Sequence, residues 1–208
     1  MSVVYGRFYP TVLDLMSAMI LEWRVVEAVS GHDDNITVTL WKTEKSDLSR
    51  FKLDLQESFR VSAEAESGQR LEESILPDED IEQSIVAPGS VVYWILADGE
   101  SVGGAIVTID EVTQHNSLSF FFISTSQQSR GFGYRAWKAI EKAHPKTRVW
   151  ETVTPYFEKR NIHFYVNRCG FRIVEFYNRY NPDPHQHSQH LLEEKGDDEM
   201  FRFEKIMA

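Results

Sequence analysis

The stretch from Leu118 to Ala136, LSFFFISTSQQSRGFGYRA, constrains this chain more than any other part of it. An apolar, β-prone run enters a polar loop, and the loop enters a segment of helical spacing whose first turn holds Gly131 and Gly133. Glycine lets backbone approach a ligand closely and adopt left-handed dihedrals. The first N–H groups of a helix have no internal partner and sit at the positive end of its dipole. Together these features make a site for pyrophosphate, with the charge of Arg130 beside it. Two other readings stay open on these residues. GFGYRA fits the dinucleotide fingerprint G-x-G-x-x-A, with Glu151 about twenty residues on, where a ribose-binding acid belongs. Against it, residues 125–130 separate strand from glycine, and antiparallel hairpins rather than parallel units precede the motif. The plainer alternative is a helix start whose glycines serve tight packing. The P-loop pattern G-x-x-x-x-G-K-[ST] is absent.

With 208 residues, 42% apolar and 12% aromatic, the chain can bury a substantial core. Its formal net charge of −10 repels phosphate backbones and anionic lipid, so nucleic-acid and membrane partners are disfavoured. The same field weakly favours a cationic substrate such as an amine. Cys169 is the single cysteine, which rules out an internal disulfide or a cysteine-built metal cage and points to a reducing, cytoplasmic setting. Charged residues at Asp14, Glu22, Arg24 and Glu27 break up the apolar stretch 12–29, so it reads as a soluble helix rather than a membrane span.

Periodicity predicts a helix from Pro10 to about Val29, then a polar boundary at 30–35. A strand at 36–41 follows, then a helix capped by Ser46 and running to about Phe59. Residues 62–76 read as a loop or irregular helix, and 78–86 as a short helix. Strands at 91–96 and 101–109 are joined by the hairpin pair Asp98-Gly99. A turn around His115-Asn116 leads to a strand at 118–124. Helix 131–144, strand 148–153, helix 156–168 and strands 171–177 and 200–206 complete the order β-α-α-β-β-β-α-β-α-β-β. Residues 1–34 form a helical extension and linker, and 35–208 the main domain.

In QSRGFG (128–133) the chain resembles bacterial-type members of the GNAT N-acetyltransferase superfamily, whose signature is Q/R-x-x-G-x-G/A at the junction of the fourth strand and third helix. The element order resembles that family over roughly residues 36–207. The resemblance implies an α/β (α+β) fold: a mixed, mostly antiparallel central sheet splayed between the family's strands four and five, with helices on both faces. It implies acetyl-CoA as acetyl-donor cosubstrate and no metal. Backbone N–H groups of Gln128, Ser129, Arg130, Gly131, Phe132 and Gly133 would cradle the coenzyme pyrophosphate. The pantetheine arm would pair with the fourth strand beside Phe121, Phe122 and Ile123, and the gap before Val149–Glu151 would hold the acetyl group.

The family often supplies a proton to the leaving thiolate from a tyrosine in an N…FYxxxGF ending. NIHFYVNRCGF (161–171) resembles it, but four residues separate Tyr165 from Gly170 where the pattern has three, and strict counting lands on Val166. A local helix irregularity would restore Tyr165 as general acid. Asn161 becomes a polar contact to pantetheine or diphosphate. Ser117 stands where many relatives carry a strand-four Glu, so Glu151 becomes the candidate base, with a substrate clamp or structural acid as its alternatives. Trp150 and Tyr156 are expected to line the acceptor side. The spacing HQHSQH (185–190) reads as a solvated loop and the Asp78–Glu82 acids as a solvated first helical turn bordering the acceptor site. Cys169 reads as packing.

The function expected is direct acetyl transfer to a primary amine of a small-molecule or peptide acceptor. A non-catalytic CoA-binding sensor of the same fold is the alternative, and a dinucleotide-binding oxidoreductase a more remote one. The N-terminal helix leaves a homodimer open.

Overall fold

The computed structural model describes residues 25–30, 36–70, 76–184 and 199–208. Strands β1 (Val25–Ser30), β2 (Thr37–Lys42), β3 (Ser90–Ala97), β4 (Glu100–Thr108), β5 (His115–Ile123), β6 (Val149–Pro155), β7 (Arg172–Tyr177) and β8 (Met200–Ile206) make one eight-stranded sheet in the order β1-β2-β3-β4-β5-β6-β8-β7. Among the described residues every pairing is antiparallel except β5 with β6. A single parallel pair is not the repeated parallel architecture of a dinucleotide fold.

Alternation along the strands divides the side chains between two layers. Val38, Leu40, Tyr93, Ile95, Ala105, Val107 and Leu118 pack under helix α3 (Phe132–Ala143). Their neighbours Val92, Trp94, Ile106 and Phe122 meet helices α1 (Leu48–Ser67) and α2 (Asp78–Val86) through Phe51, Leu55 and Ile81. On α3 the residues Phe132, Ala136, Trp137, Ala139 and Ile140 are buried, a stripe at helical spacing. Trp137 sits between Trp150 and Phe171, with ring centroids 5.3 and 5.1 Å away. Truncation of such a core aromatic costs about 3–5 kcal/mol.

Several sequence expectations change. The helix expected to reach Val29 is a strand over its last part: Val25–Ser30 pairs with β2. Stiff valines suit a pleated strand, and an adjacent partner supplies the hydrogen bonds. The rest of that helix lies outside the described residues, as does the histidine-rich loop 185–190. Ser46 lies within a short 3-10 turn, Lys45–Asp47, and provides no cap. Helix α1 continues past Phe59 to Ser67 because nothing breaks it before Gly68, which ends it at φ +68°. His115 and Asn116 belong to β5, and the turn precedes them, with Gln114 at φ +58°. Buried Asn116 accepts from the Asp110 N–H and donates to Thr147, so its polarity serves the core side of that turn. The Asp98-Gly99 hairpin forms as read, with both residues at positive φ.

β5 and β6 are in register only at His115↔Val149, Asn116↔Trp150 and Ser117↔Glu151. Beyond that point the strands diverge. The Thr152 hydroxyl, donating to the Leu118 carbonyl at 2.9 Å, closes the vertex. A V-shaped gap therefore opens in the middle of the sheet toward Ile123 and Pro155.

Candidate active site

The inner edge of this gap is made of backbone. The Ser124 N–H donates to the Val102 carbonyl at 2.9 Å, which makes 124 and 102 a hydrogen-bonded pair across β4 and β5. By antiparallel alternation, Ile123 and Phe121 turn their N–H and C=O groups away from β4 and into the gap. Among the described residues no strand pairs with them, and the Ile123 carbonyl accepts from the Gln128 side-chain amide. A strand edge not joined to a neighbouring strand can add one, so this edge is suited to an extended, amide-bearing ligand. The Phe121 side chain stacks on Phe164 at 5.7 Å on the α3 side. Phe122 packs against Phe51 on the opposite face.

The gap opens beside the glycine loop. A 3-10 turn over Thr125–Gln127 follows β5, and then Ser129 (φ +63°) and Gly131 (φ +76°) adopt left-handed conformations before α3 begins at Phe132. Alternating left-handed residues converge successive N–H groups into a concavity that suits an anion. For Ser129 that conformation costs on the order of 1–2 kcal/mol. Arg135 holds the loop from behind, donating to the Arg130 carbonyl at 3.0 Å and to the Ile36 carbonyl at 3.2 Å. Arg130 donates to Gln127 at 2.6 Å. Phe132 turns its ring into the core beneath the guanidiniums of Arg130 and Arg135, leaving only its backbone to the loop. At Gly133 an added Cβ would lie 3.4 Å from the Phe164 ring, so this glycine lets α3 approach the segment after β6.

That segment begins as helix α4 (Lys159–His163) and widens into a π-helical turn over Phe164–Cys169. The wider turn absorbs the extra residue that displaced Tyr165 from the family spacing. Tyr165 is buried among Phe164, Phe171 and Phe203, and its hydroxyl interacts with that of Thr152 at the vertex. Burial pushes its phenol well above the usual tyrosine range, so it holds its proton at neutral pH. Asn161 donates to Thr154 on β6 at 3.4 Å.

Glu151 lies on the other face. Trp150 and Thr152 are buried toward α3, so alternation directs Glu151 away from it. Arg202 donates to Glu151 at 2.7 Å, to Glu204 at 2.6 Å and to Glu175 at 3.2 Å, and His115 Nε2 stands 3.5 Å from Glu151. His115, Glu151 and Glu204 each place one ligand atom within 4.8 Å of the others. The Arg202 guanidinium already serves both carboxylates as their cation.

Other expected contributors fall elsewhere. Trp150 is fully buried under α3, so it does not line an acceptor surface; its large apolar ring fills the core beside Trp137. Tyr156 is exposed beside Phe157 and Phe176. Asp78 and Glu82 each pair with Lys52 of α1 at 2.7 Å, which offsets part of that acidic field. Cys169 is buried, with burial pushing its thiol up to about 12. Thr152 and Arg202 are polar participants that the sequence reading did not single out.

Comparison with known proteins agrees with this geometry. Residues 52–171 match the family model described as Acetyltransferase (GNAT) family. A Bacillus subtilis protein, "Uncharacterized protein YrkN", is 50% identical over 173 residues, covering 82% of this chain and 94% of its own. A Bacillus subtilis acetyltransferase solved in complex with CoA superposes with TM-score 0.56 at 18% identity, over 81% of this chain and 98% of that one. A GNAT family acetyltransferase from Elizabethkingia anophelis with acetyl-CoA bound gives TM-score 0.57 at 15% identity, over 84% and 100%.

Proposed function

Since this chain belongs to the GNAT acetyltransferase family, we propose that it is an acetyl-CoA-dependent N-acetyltransferase that passes the acetyl group directly to a primary amine of a small molecule or peptide. The observation that carries the reading is the inner edge of β5, joined by no strand of the described residues beyond Ser117, opening beside a loop with alternating left-handed residues. An extended amide arm fits the first and a diphosphate the second.

The N–H groups at 128–133 would hold the diphosphate, and the gap-facing groups of Phe121 and Ile123 would pair with the arm. The thioester then lies toward the vertex, between Tyr165 on one face and Glu151 on the other. The amine lone pair attacks the thioester carbonyl carbon, and the carbon–sulfur bond breaks. Tyr165, whose phenol carries its proton at neutral pH, gives that proton to the leaving thiolate. Glu151 accepts the proton lost by the amine, directly or through water, while Arg202 holds its carboxylate in place. Asn161 contributes a polar contact to the arm or diphosphate. No metal enters this scheme.

The engagement of Glu151 by Arg202 also favours a second reading, a CoA-binding sensor of the same fold without catalysis. Mass spectrometry of an amine panel incubated with acetyl-CoA separates the two. Acetylated product above the uncatalysed rate supports the enzyme; CoA binding with no product from any amine supports the sensor. The net charge of −10 disfavours nucleic acid or anionic membrane as partner, and no helix of the described residues is long and apolar enough to cross a membrane. A cytoplasmic setting fits the lone buried Cys169.

A further inference from the structure

Three groups form a chain across the mouth of the gap. Gln128 donates through Nε2 to the Ile123 carbonyl at 3.1 Å, and Gln128 Oε1 accepts from Arg160 at 2.5 Å. Ile123 ends β5, one lip of the gap, while Arg160 lies on α4, which follows β6, the other lip. The Gln128 side chain thus bridges the lips, and it occupies a carbonyl that an entering arm needs. Arg160 is exposed, and among the described residues the partner found for its guanidinium is a neutral amide rather than a carboxylate.

On the reading that the loop holds a diphosphate, we propose that Arg160 is a further diphosphate-binding residue and that Gln128 is its placeholder, released when coenzyme enters. An Arg–phosphate contact is roughly twice as strong as a hydrogen bond between neutral groups, and it can be bidentate. Arrival of the anion therefore draws Arg160 from Gln128. Freed of Arg160, the Gln128 amide leaves the Ile123 carbonyl, and that carbonyl becomes available to the arm. Filling the loop and opening the gap are coupled through one guanidinium, so the anionic end of the ligand favours seating of its neutral end. A donor fragment without the diphosphate meets the closed bridge.

The test is calorimetric binding of CoA and of pantetheine, which lacks the diphosphate, to the wild-type chain, Arg160→Gln, Arg160→Lys and Gln128→Ala. Arg160 is exposed, so unchanged melting temperatures are expected of its variants. Arg160→Gln is expected to weaken CoA about 10- to 100-fold, the loss of a hydrogen bond to a charged group, while pantetheine binds no more weakly. Arg160→Lys is expected to recover part of the CoA affinity. Gln128→Ala is expected to tighten pantetheine several-fold relative to wild type. CoA affinity within about twofold of wild type in Arg160→Gln, or an equal loss for CoA and pantetheine, overturns the proposal. If pantetheine proves too weak to register with every variant, the CoA series alone decides by the same criterion. Failure of the wild-type chain to bind CoA would instead overturn the functional reading beneath it.

Discussion

The carbonyl of Tyr165 accepts the N–H of Phe171, six residues along, at 2.9 Å, and also that of Gly170. An α-helix would end this bond at the fourth residue. The wider turn keeps Tyr165 directed inward at Thr152, although strict family spacing points to Val166. Tyr165→Phe is therefore expected to lower turnover about 10²- to 10⁴-fold, the range for a lost general acid. The stability cost is about 1 kcal/mol from the missing hydroxyl contact. The double variant Tyr165→Phe, Val166→Tyr is expected to remain as impaired, because Tyr165 is buried in this turn whereas Val166 is only partly buried. Recovery of activity in that double variant would place the acid at 166.

Glu151 and Arg202 respond unequally to mutation. Glu151→Gln leaves Arg202 with Glu175 and Glu204, so stability changes by less than about 1 kcal/mol, as for partly exposed pairs. Its expected effect is on turnover, with acetyl-CoA affinity within about threefold of wild type. Arg202→Met leaves three carboxylates facing one another and is expected to destabilise more than Glu151→Gln in parallel urea titrations. Equal melting of the two variants would mean the network contributes little.

Alkaline pH should unfold the chain through groups buried in protonated form. Burial raises Tyr93 from 10.0 to about 12 and Cys169 from 9.0 to about 12, and it raises Tyr165 as well. Above each ordinary value the unfolded chain has released its proton while the folded chain retains it, so unfolding is favoured as pH rises. Stability is expected to be flat near neutrality and to fall from about pH 9 to 12, with Tyr93→Phe showing a shallower fall. A denaturant midpoint that holds steady from pH 8 to 11 in the wild-type chain contradicts this.

The glycines should separate packing from binding. A Cβ at Gly104 would lie 2.4 Å from the Phe51 ring and 2.7 Å from that of Phe122. Gly104→Ala is expected to destabilise by about 1–3 kcal/mol. Gly131 has no comparable obstruction, but its φ of +76° disfavours any side chain. Gly131→Ala is expected to cost about 1 kcal/mol and to weaken acetyl-CoA binding. Thermal melts and calorimetry on both variants distinguish the effects; the reverse ranking in binding would move the anion site away from the loop.

What was legible in the sequence was local. The loop at 128–133 and the Asp98-Gly99 hairpin are written in residues whose backbone needs are special, and both stand where the pattern put them. Val25–Ser30 reads as a helix end because a short apolar run fits either period, and its partner β2 lies across a separate segment. The extent of α1 turned on where a breaker first occurs, at Gly68. The π-helical turn has no propensity signature; only the count between Tyr165 and Gly170 hinted at it. Arg202 joins Glu151 through the register of β6 with β8, and Arg160 reaches Gln128 across the gap. Such contacts between distant segments follow from topology, which no local pattern states.

The most direct test of the central claim is calorimetric titration of the wild-type chain with acetyl-CoA, with NAD as the control dinucleotide. Saturable 1:1 binding of acetyl-CoA, lost or much weakened in Gly131→Ala and absent for NAD, is the expected result. No detectable binding at about millimolar acetyl-CoA, a concentration at which even weak ligands register, would contradict it and leave the loop glycines a packing role only.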